Sequence, residues 1–233
     1  MSERPPFPGE ALAEAGLNRQ FVFDLDGLPE ETRKTLGDTT GFRQLILLGH
    51  AGRLLWERVQ AAGMASEHPI DDYTVRTVAA WLTEHLPGRA CRILYPGQQP
   101  VGLQALGKLA GWHHASPFMV GVDAEWGSWY AYRAAVLIDF QFQPFFPVDR
   151  GSPCVDCATA PCITACPADA LAGGQFDLQA CSGYRLQTES PCAEGCLARQ
   201  ACPVGAEHRY EAAQIAHSYR RSLTMLRQYF IQP

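Results

Sequence analysis

The sequence has 233 residues, a formal charge of −5 and 47% hydrophobic residues, enough to bury a core in one sizeable domain or two small ones. Seventeen Arg and two Lys, Lys34 and Lys108, are outnumbered by acids, so no global positive field draws in nucleic acid. No apolar run approaches the roughly 18 residues of a membrane span, and the opening Met-Ser-Glu-Arg-Pro-Pro lacks the apolar stretch of a secretory signal; a cytoplasmic location without membrane contact is expected.

The first dozen residues are Pro-rich and read as loose. Short β-type runs then follow at Phe21-Val22-Phe23, Leu45-Ile46-Leu47-Leu48, Arg92-Ile93-Leu94-Tyr95 and Ala134-Ala135-Val136-Leu137-Ile138. Between them, apolar residues at three- and four-residue spacing predict helices over 50–62, 71–86 and 101–110. The second opens on Asp71-Asp72, where negative charge suits the helix dipole, and stops before Pro87-Gly88. These elements describe an α+β or α/β layered domain over residues 1–148. A turn-rich stretch from Gln143 to Pro153 closes it, and residues 149–233 form a second domain. Tyr210, Ile215, Tyr219, Leu223, Leu226 and Phe230 fall at helical spacing and predict a closing helix used for packing. Arg209, Arg220, Arg221 and Arg227 read as its solvated face.

Eight of the nine cysteines lie between Cys154 and Cys202, and Cys91 stands apart in an apolar stretch as a core thiol. In a reducing compartment such crowding points to metal ligation before disulfides. The spacing is Cys154-x2-Cys157-x4-Cys162-x3-Cys166-Pro167, then Cys181, Cys192-x3-Cys196-x5-Cys202-Pro203. A cubane needs four thiolates at the corners of a tetrahedron, three from one tight loop and a distant fourth. In two-cluster ferredoxins the cysteine before proline belongs to the other cluster. On that pattern Cys154, Cys157, Cys162 and Cys202 hold one [4Fe-4S] cluster, and Cys166, Cys181, Cys192 and Cys196 the other. Two four-thiolate zinc sites are the alternative, although paired CxxC knuckles would be usual there and only Cys154–Cys157 has that form. Ala158, Ala160, Ala165, Ala168 and Gly195 leave room for backbone N–H groups to approach cluster sulfurs.

The run from Cys154 to Pro203, with Ala170-Leu171, Phe176-Asp177-Leu178 and Tyr184, resembles the ferredoxin module of epoxyqueuosine reductase, a cobalamin-dependent enzyme of tRNA modification. Gly111-Trp112, Gly127-Ser128-Trp129, Val136-Leu137-Ile138-Asp139 and Asp72-Tyr73 are similar to further parts of that family and of the related reductive dehalogenases. The resemblance implies a flavin-reductase-like N-terminal domain, a corrinoid (cobalamin) near Gly127, Ser128 and Trp129, and electrons delivered by the adjacent cluster. His114 would offer the corrinoid an imidazole. A tRNA partner is not expected, because His113-His114-Ala115-Ser116 replaces the family's Gly-Lys-Asn and no helical-repeat tail follows.

Other features have blander readings. Phe21 to Gly27 carries the two aspartates, Asp24 and Asp26, of a haloacid-dehalogenase phosphatase loop, but reads better as a strand ending in a turn. Asp123 and Glu125 are alternative proton donors or plain surface charge, and Trp112, Trp126 and Trp129 either stack on a macrocycle or fill the core. The expected function is an iron–sulfur redox protein that takes electrons from a flavodoxin or ferredoxin and passes them to a corrinoid or another acceptor. The rival is a non-catalytic electron carrier or assembly factor that binds a protein partner without cobalamin.

Overall fold

The computed structural model describes residues 4–231. The chain forms two compact units, Met1–His113 with Tyr130–Asp149, and His114–Trp129 with Arg150–Pro233. The class is α+β. Among the described residues no helix is long and apolar enough to cross a membrane.

The first unit is built on one antiparallel sheet of β1 (Arg19–Asp24), β2 (Gln44–Ala51), β3 (Cys91–Tyr95) and β4 (Tyr130–Ile138), in the order β1-β2-β4-β3. All eight residues of β2 are buried, so this strand is apolar on both faces instead of alternating. On one face Val22, Ile46, Leu48, Ala134, Val136 and Ile138 form a core with Leu55, Trp56 and Val59 of α3 (Leu54–Ala61) and with Ile70, Tyr73, Val78 and Trp81 of α4 (Pro69–His85). The sheet bulges between Leu48 and Gly49, where a Cβ on Gly49 would lie 2.8 Å from the Ala131 carbonyl oxygen.

The elements follow the sequence with two informative shifts. Helix α3 begins at Leu54, because His50 and Ala51 continue β2 and Gly52 turns the chain at a φ of 73°. The N-terminal segment is not loose. Phe7 packs on Trp81 and Phe142, the Trp81 indole donates to the Pro8 carbonyl at 2.9 Å, and α1 (Glu10–Glu14) buries Leu12; residues 1–3 lie outside the described residues. At the end of β1, Asp24 pairs with Arg4 at 2.7 Å and accepts from Gln44, and Asp26 sits on a single 3-10 turn. That is a strand ending in a turn, with its first aspartate committed to an ion pair.

Two further helices complete the first unit, α2 (Glu30–Lys34) and α5 (Leu103–Leu109). Cys91, on the edge strand, is half-buried against the core, and burial followed by the Asp139 charge pushes its thiol up. Ile46 is 1% exposed at the centre of the sheet. Ile46→Ala is therefore expected to cost about 2–5 kcal/mol in denaturant unfolding, and a cost under about 1 kcal/mol would remove that strand from the core.

The second unit has short helices α6 (Pro161–Thr164), α7 (Leu178–Leu186) and α8 (Leu197–Ala201), followed by α9 (Ala212–Ile231). Ile215 and Leu223 of α9 are buried, Tyr219, Leu226 and Phe230 are half-buried, and Arg220, Arg221 and Arg227 are exposed. That helix thus packs by the stripe its spacing predicts. Arg220 closes a pair with Glu194 at 2.6 Å.

Candidate metal centre

The cysteines are positioned by two short helices that pack together, α6 and α8. Cys162 lies inside α6, and Cys166 follows its end, just before Pro167. Cys196 caps the start of α8, its sulfur accepting from the Arg199 N–H at 3.4 Å, and Cys202 caps the end, just before Pro203. Ahead of α6, Ala160 adopts a left-handed φ of 36°, which turns the Cys154–Cys157 loop back toward the helix. Cys181 is presented by α7, whose start is capped by the Asp177 carboxylate accepting from the Ala180 N–H at 2.9 Å.

The eight thiols separate by mutual influence into two fours. Burial first, then the Cys202, Cys162 and Cys157 thiols, push Cys154 up, against a hydrogen bond from Ser152. Burial and then Cys202 raise Cys162, with Cys157 adding a smaller push against the N–H groups of Cys162 and Ile163. Cys181 is pushed up to about 11 by burial and Cys196, with lesser contributions from Cys166 and Cys192 and an opposing pull from Arg185. Cys192 is raised by burial and by Cys196 and Cys166, opposed by the Leu197 N–H and Arg185. No thiol of one four appears among the neighbours that shift the other. Such thiols resist ionisation in the bare protein, as expected where several anions would share a small space.

Among the described residues, no three His, Cys, Asp or Glu side chains come together closely enough to hold a single metal ion. Ser182, next to Cys181, is 2% exposed, and its hydroxyl has no hydrogen-bond partner within the structure. An orphaned hydroxyl at this depth asks for an acceptor.

Residues 114–129, the stretch marked for a corrinoid, form a short hairpin of the second unit. His114 exchanges backbone hydrogen bonds with Val122, and Asp123 with Gly127. The Asp123 carboxylate turns inward to accept from the Glu125 and Trp126 N–H groups, both at 2.9 Å, while Glu125 pairs with Arg150 at 3.2 Å. Both acids are thereby engaged in structure.

Trp129 is 0% exposed; the Arg199 guanidinium lies 4.5 Å from its ring centroid, and Tyr210 meets it edge-on at 5.4 Å. Ser128 is also fully enclosed and its hydroxyl accepts from Arg199 at 3.1 Å. Gly127, at a φ of 57°, presses its backbone against Val204, and a Cβ there would lie 2.0 Å from the Val204 carbonyl oxygen. These three residues are buried, and His114 is the one of the four with partly exposed surface. Trp112 is 8% exposed beneath Arg19, and Trp126 stacks at a tilt on His208, 4.2 Å between centroids.

Sequence reasoning passed over Arg185, which bonds to the Cys192 and Ala193 carbonyls, and Arg199, which bonds to Ser128 and lies over Trp129. Their signal was a cation three or four residues from a ligand cysteine inside an otherwise small, neutral segment.

This architecture recurs among solved structures. The epoxyqueuosine reductase of Bacillus subtilis superposes with a TM-score of 0.54 at 13% identity, over 87% of this chain and 66% of that one. This chain has the epoxyqueuosine reductase fold. A structure of epoxyqueuosine reductase with an epoxyqueuosine-modified tRNA-Tyr stem loop shares that fold with a TM-score of 0.55 at 13% identity, over 89% and 68% of the two chains. So does the catabolic reductive dehalogenase NpRdhA, at 0.54 and 13% identity, over 94% of this chain and 35% of that one. The chain thus spans about two thirds of the reductases and about a third of the dehalogenase. At such identities the epoxyqueuosine reductase likeness is one of fold. No protein-family model matches the sequence, and no curated protein matches it.

Proposed function

We propose that this chain is an iron–sulfur redox protein that carries electrons through two [4Fe-4S] clusters, one held by Cys154, Cys157, Cys162 and Cys202, the other by Cys166, Cys181, Cys192 and Cys196. The observation that carries this reading is the division of eight thiols into two fours that each borrow a ligand across the α6–α8 pair.

The donor set fits the group. Four thiolates on one zinc would sit about 2.3 Å from a shared ion, whereas a cubane spreads its four ligands over four irons, one thiolate to each. When bound, each cluster supplies one-electron chemistry. The chain's residues exclude water by burying Cys162, Cys192 and Cys202, and offer the Arg199 N–H to Cys196. The orphaned Ser182 hydroxyl is a further donor toward the second cluster. Thiols held neutral in the bare protein give up their protons as iron is loaded, so loading is coupled to pH.

The electron source is a one-electron donor of the flavodoxin or ferredoxin class. A corrinoid acceptor is the second reading, favoured by the fold shared with a protein whose structure addresses B12-dependent dehalogenation, at a TM-score of 0.53 and 12% identity. The stretch Gly127-Ser128-Trp129 fits a corrinoid poorly, because its one broad ring is enclosed between Arg199 and Tyr210.

Iron, sulfide and cobalt analysis of anaerobically prepared protein, with and without cobalamin, tests both readings. About eight irons per chain are expected. About two zinc ions and no iron would sink the proposal. Retained cobalt makes the chain a corrinoid reductase, and its absence makes it an electron carrier to a protein partner.

A further inference from the structure

The two fours have unlike electrostatic surroundings. Arg185, on α7, donates to the carbonyls of Cys192 at 3.1 Å, Ala193 at 3.4 Å and Tyr219 at 3.1 Å, and to the Ser222 hydroxyl at 2.9 Å. Its guanidinium also lies 5.1 Å from the Tyr219 ring centroid. Five contacts thus fix one cation against the backbone of a ligand residue. Arg199, 8% exposed, is clasped between Trp129 and Tyr210, with centroids at 4.5 and 5.2 Å, and bonds to Ser128.

Among the described residues neither guanidinium pairs with a carboxylate; the Arg185 charge is fixed against the Cys192 backbone, and that of Arg199 against Ser128 and the two rings. The other four has a different neighbourhood. Its own loop carries the Asp156 carboxylate between Cys154 and Cys157, and Arg209 bonds to the Gln200 carbonyl at 2.7 Å, two residues before Cys202.

Adding an electron makes a thiolate-ligated cluster more negative. A fixed positive charge nearby, out of bulk water, stabilises that reduced form and raises the potential. One such cation, Arg185, is fixed on the backbone of a ligand of the second four. We propose that the cluster held by Cys166, Cys181, Cys192 and Cys196 is the higher-potential member of the pair, tuned by Arg185, so that the first electron delivered by a one-electron donor comes to rest there. The inference rests on the two-cluster reading above. The balance is simple: the donor loses one electron, the Arg-flanked cluster gains it, and no proton or bond is exchanged.

The test is a reductive titration of the full, iron-loaded chain with dithionite, followed by electron paramagnetic resonance, after iron and sulfide have been counted. Two separable one-electron steps are expected. Cys181→Ser moves the more positive step and Cys154→Ser the more negative one. Arg185→Met lowers the more positive step, cutting the reduced-to-oxidised ratio at the original midpoint by about tenfold, or about 59 mV for one electron. Coincident steps, Cys181→Ser acting on the more negative step, or an Arg185→Met variant that loads fully and leaves both steps in place would overturn the inference. If Arg185→Met fails to load, the cysteine pair of variants decides. Failure of the underlying reading looks different, because it appears in the iron count before any potential is measured.

Discussion

Cys202→Ala is expected to halve the iron content, to about four per chain, and the loss falls on the cluster of Cys154, Cys157 and Cys162. The reason is the placement of Cys202 at the end of α8, where its thiol is among the neighbours that raise both Cys154 and Cys162. Double variants identify the cluster that is lost. Cys202→Ala with Cys154→Ala loses little more than either alone, since both strike one site, whereas Cys202→Ala with Cys192→Ala loses nearly all iron. If instead Cys202→Ala and Cys192→Ala together do no more than one of them, each local run holds its own cluster and the crossing is wrong.

Gly127→Ala is expected to be the most damaging single methyl in the second unit. The residue sits at a φ of 57°, and the new Cβ would come within 2.0 Å of the Val204 carbonyl oxygen. The opposite side is equally tight, because a Cβ on Gly205, at a φ of 62°, would lie 2.4 Å from the Trp126 carbonyl carbon. Two stretches of backbone touch here, with no flexible side chain to give way. Left-handed strain adds about 1 kcal/mol and the forced separation about 2 kcal/mol or more, which lowers the melting temperature by roughly 10 °C or more in a unit this small. Gly174→Ala is the control: it lies in the same unit at a φ of 74° with nothing within 4 Å, so only the conformational cost of about 1 kcal/mol remains. Equal melting of the two variants would show that the contact between the hairpin and Val204 does not hold in solution.

The strands were legible because each carries a compact apolar run. What the sequence hid was where those runs end. Tyr130 to Arg133 belongs to β4, yet residues 131–133 are half-exposed and dilute the pattern. His50 and Ala51 looked helical because apolar neighbours continue on both sides, and only the buried pairing with β4 makes them strand. The proposed crossing of the two sets of cysteines comes from the repeated Cys-Pro, since proline after a ligand forces the chain out of its local loop.

The fate of Trp129 was not legible in the sequence. An aromatic beside a glycine and a serine has the same local signature whether it faces a ligand or a core. The deciding partners, Arg199 and Tyr210, are far along the chain. For the same reason nothing local announced that residues 114–129 leave one unit to fold with the other, because composition does not change at either crossing.

The pairing of α6 with α8 also sets a timetable for the growing polypeptide. On the proposed ligation, neither cluster is complete when the Cys154–Cys166 stretch emerges from the ribosome, although half the ligands are then in place. One cluster waits for Cys196 and the other for Cys202, so both close within a few residues of each other. A chain interrupted between the two halves therefore forfeits both sites together.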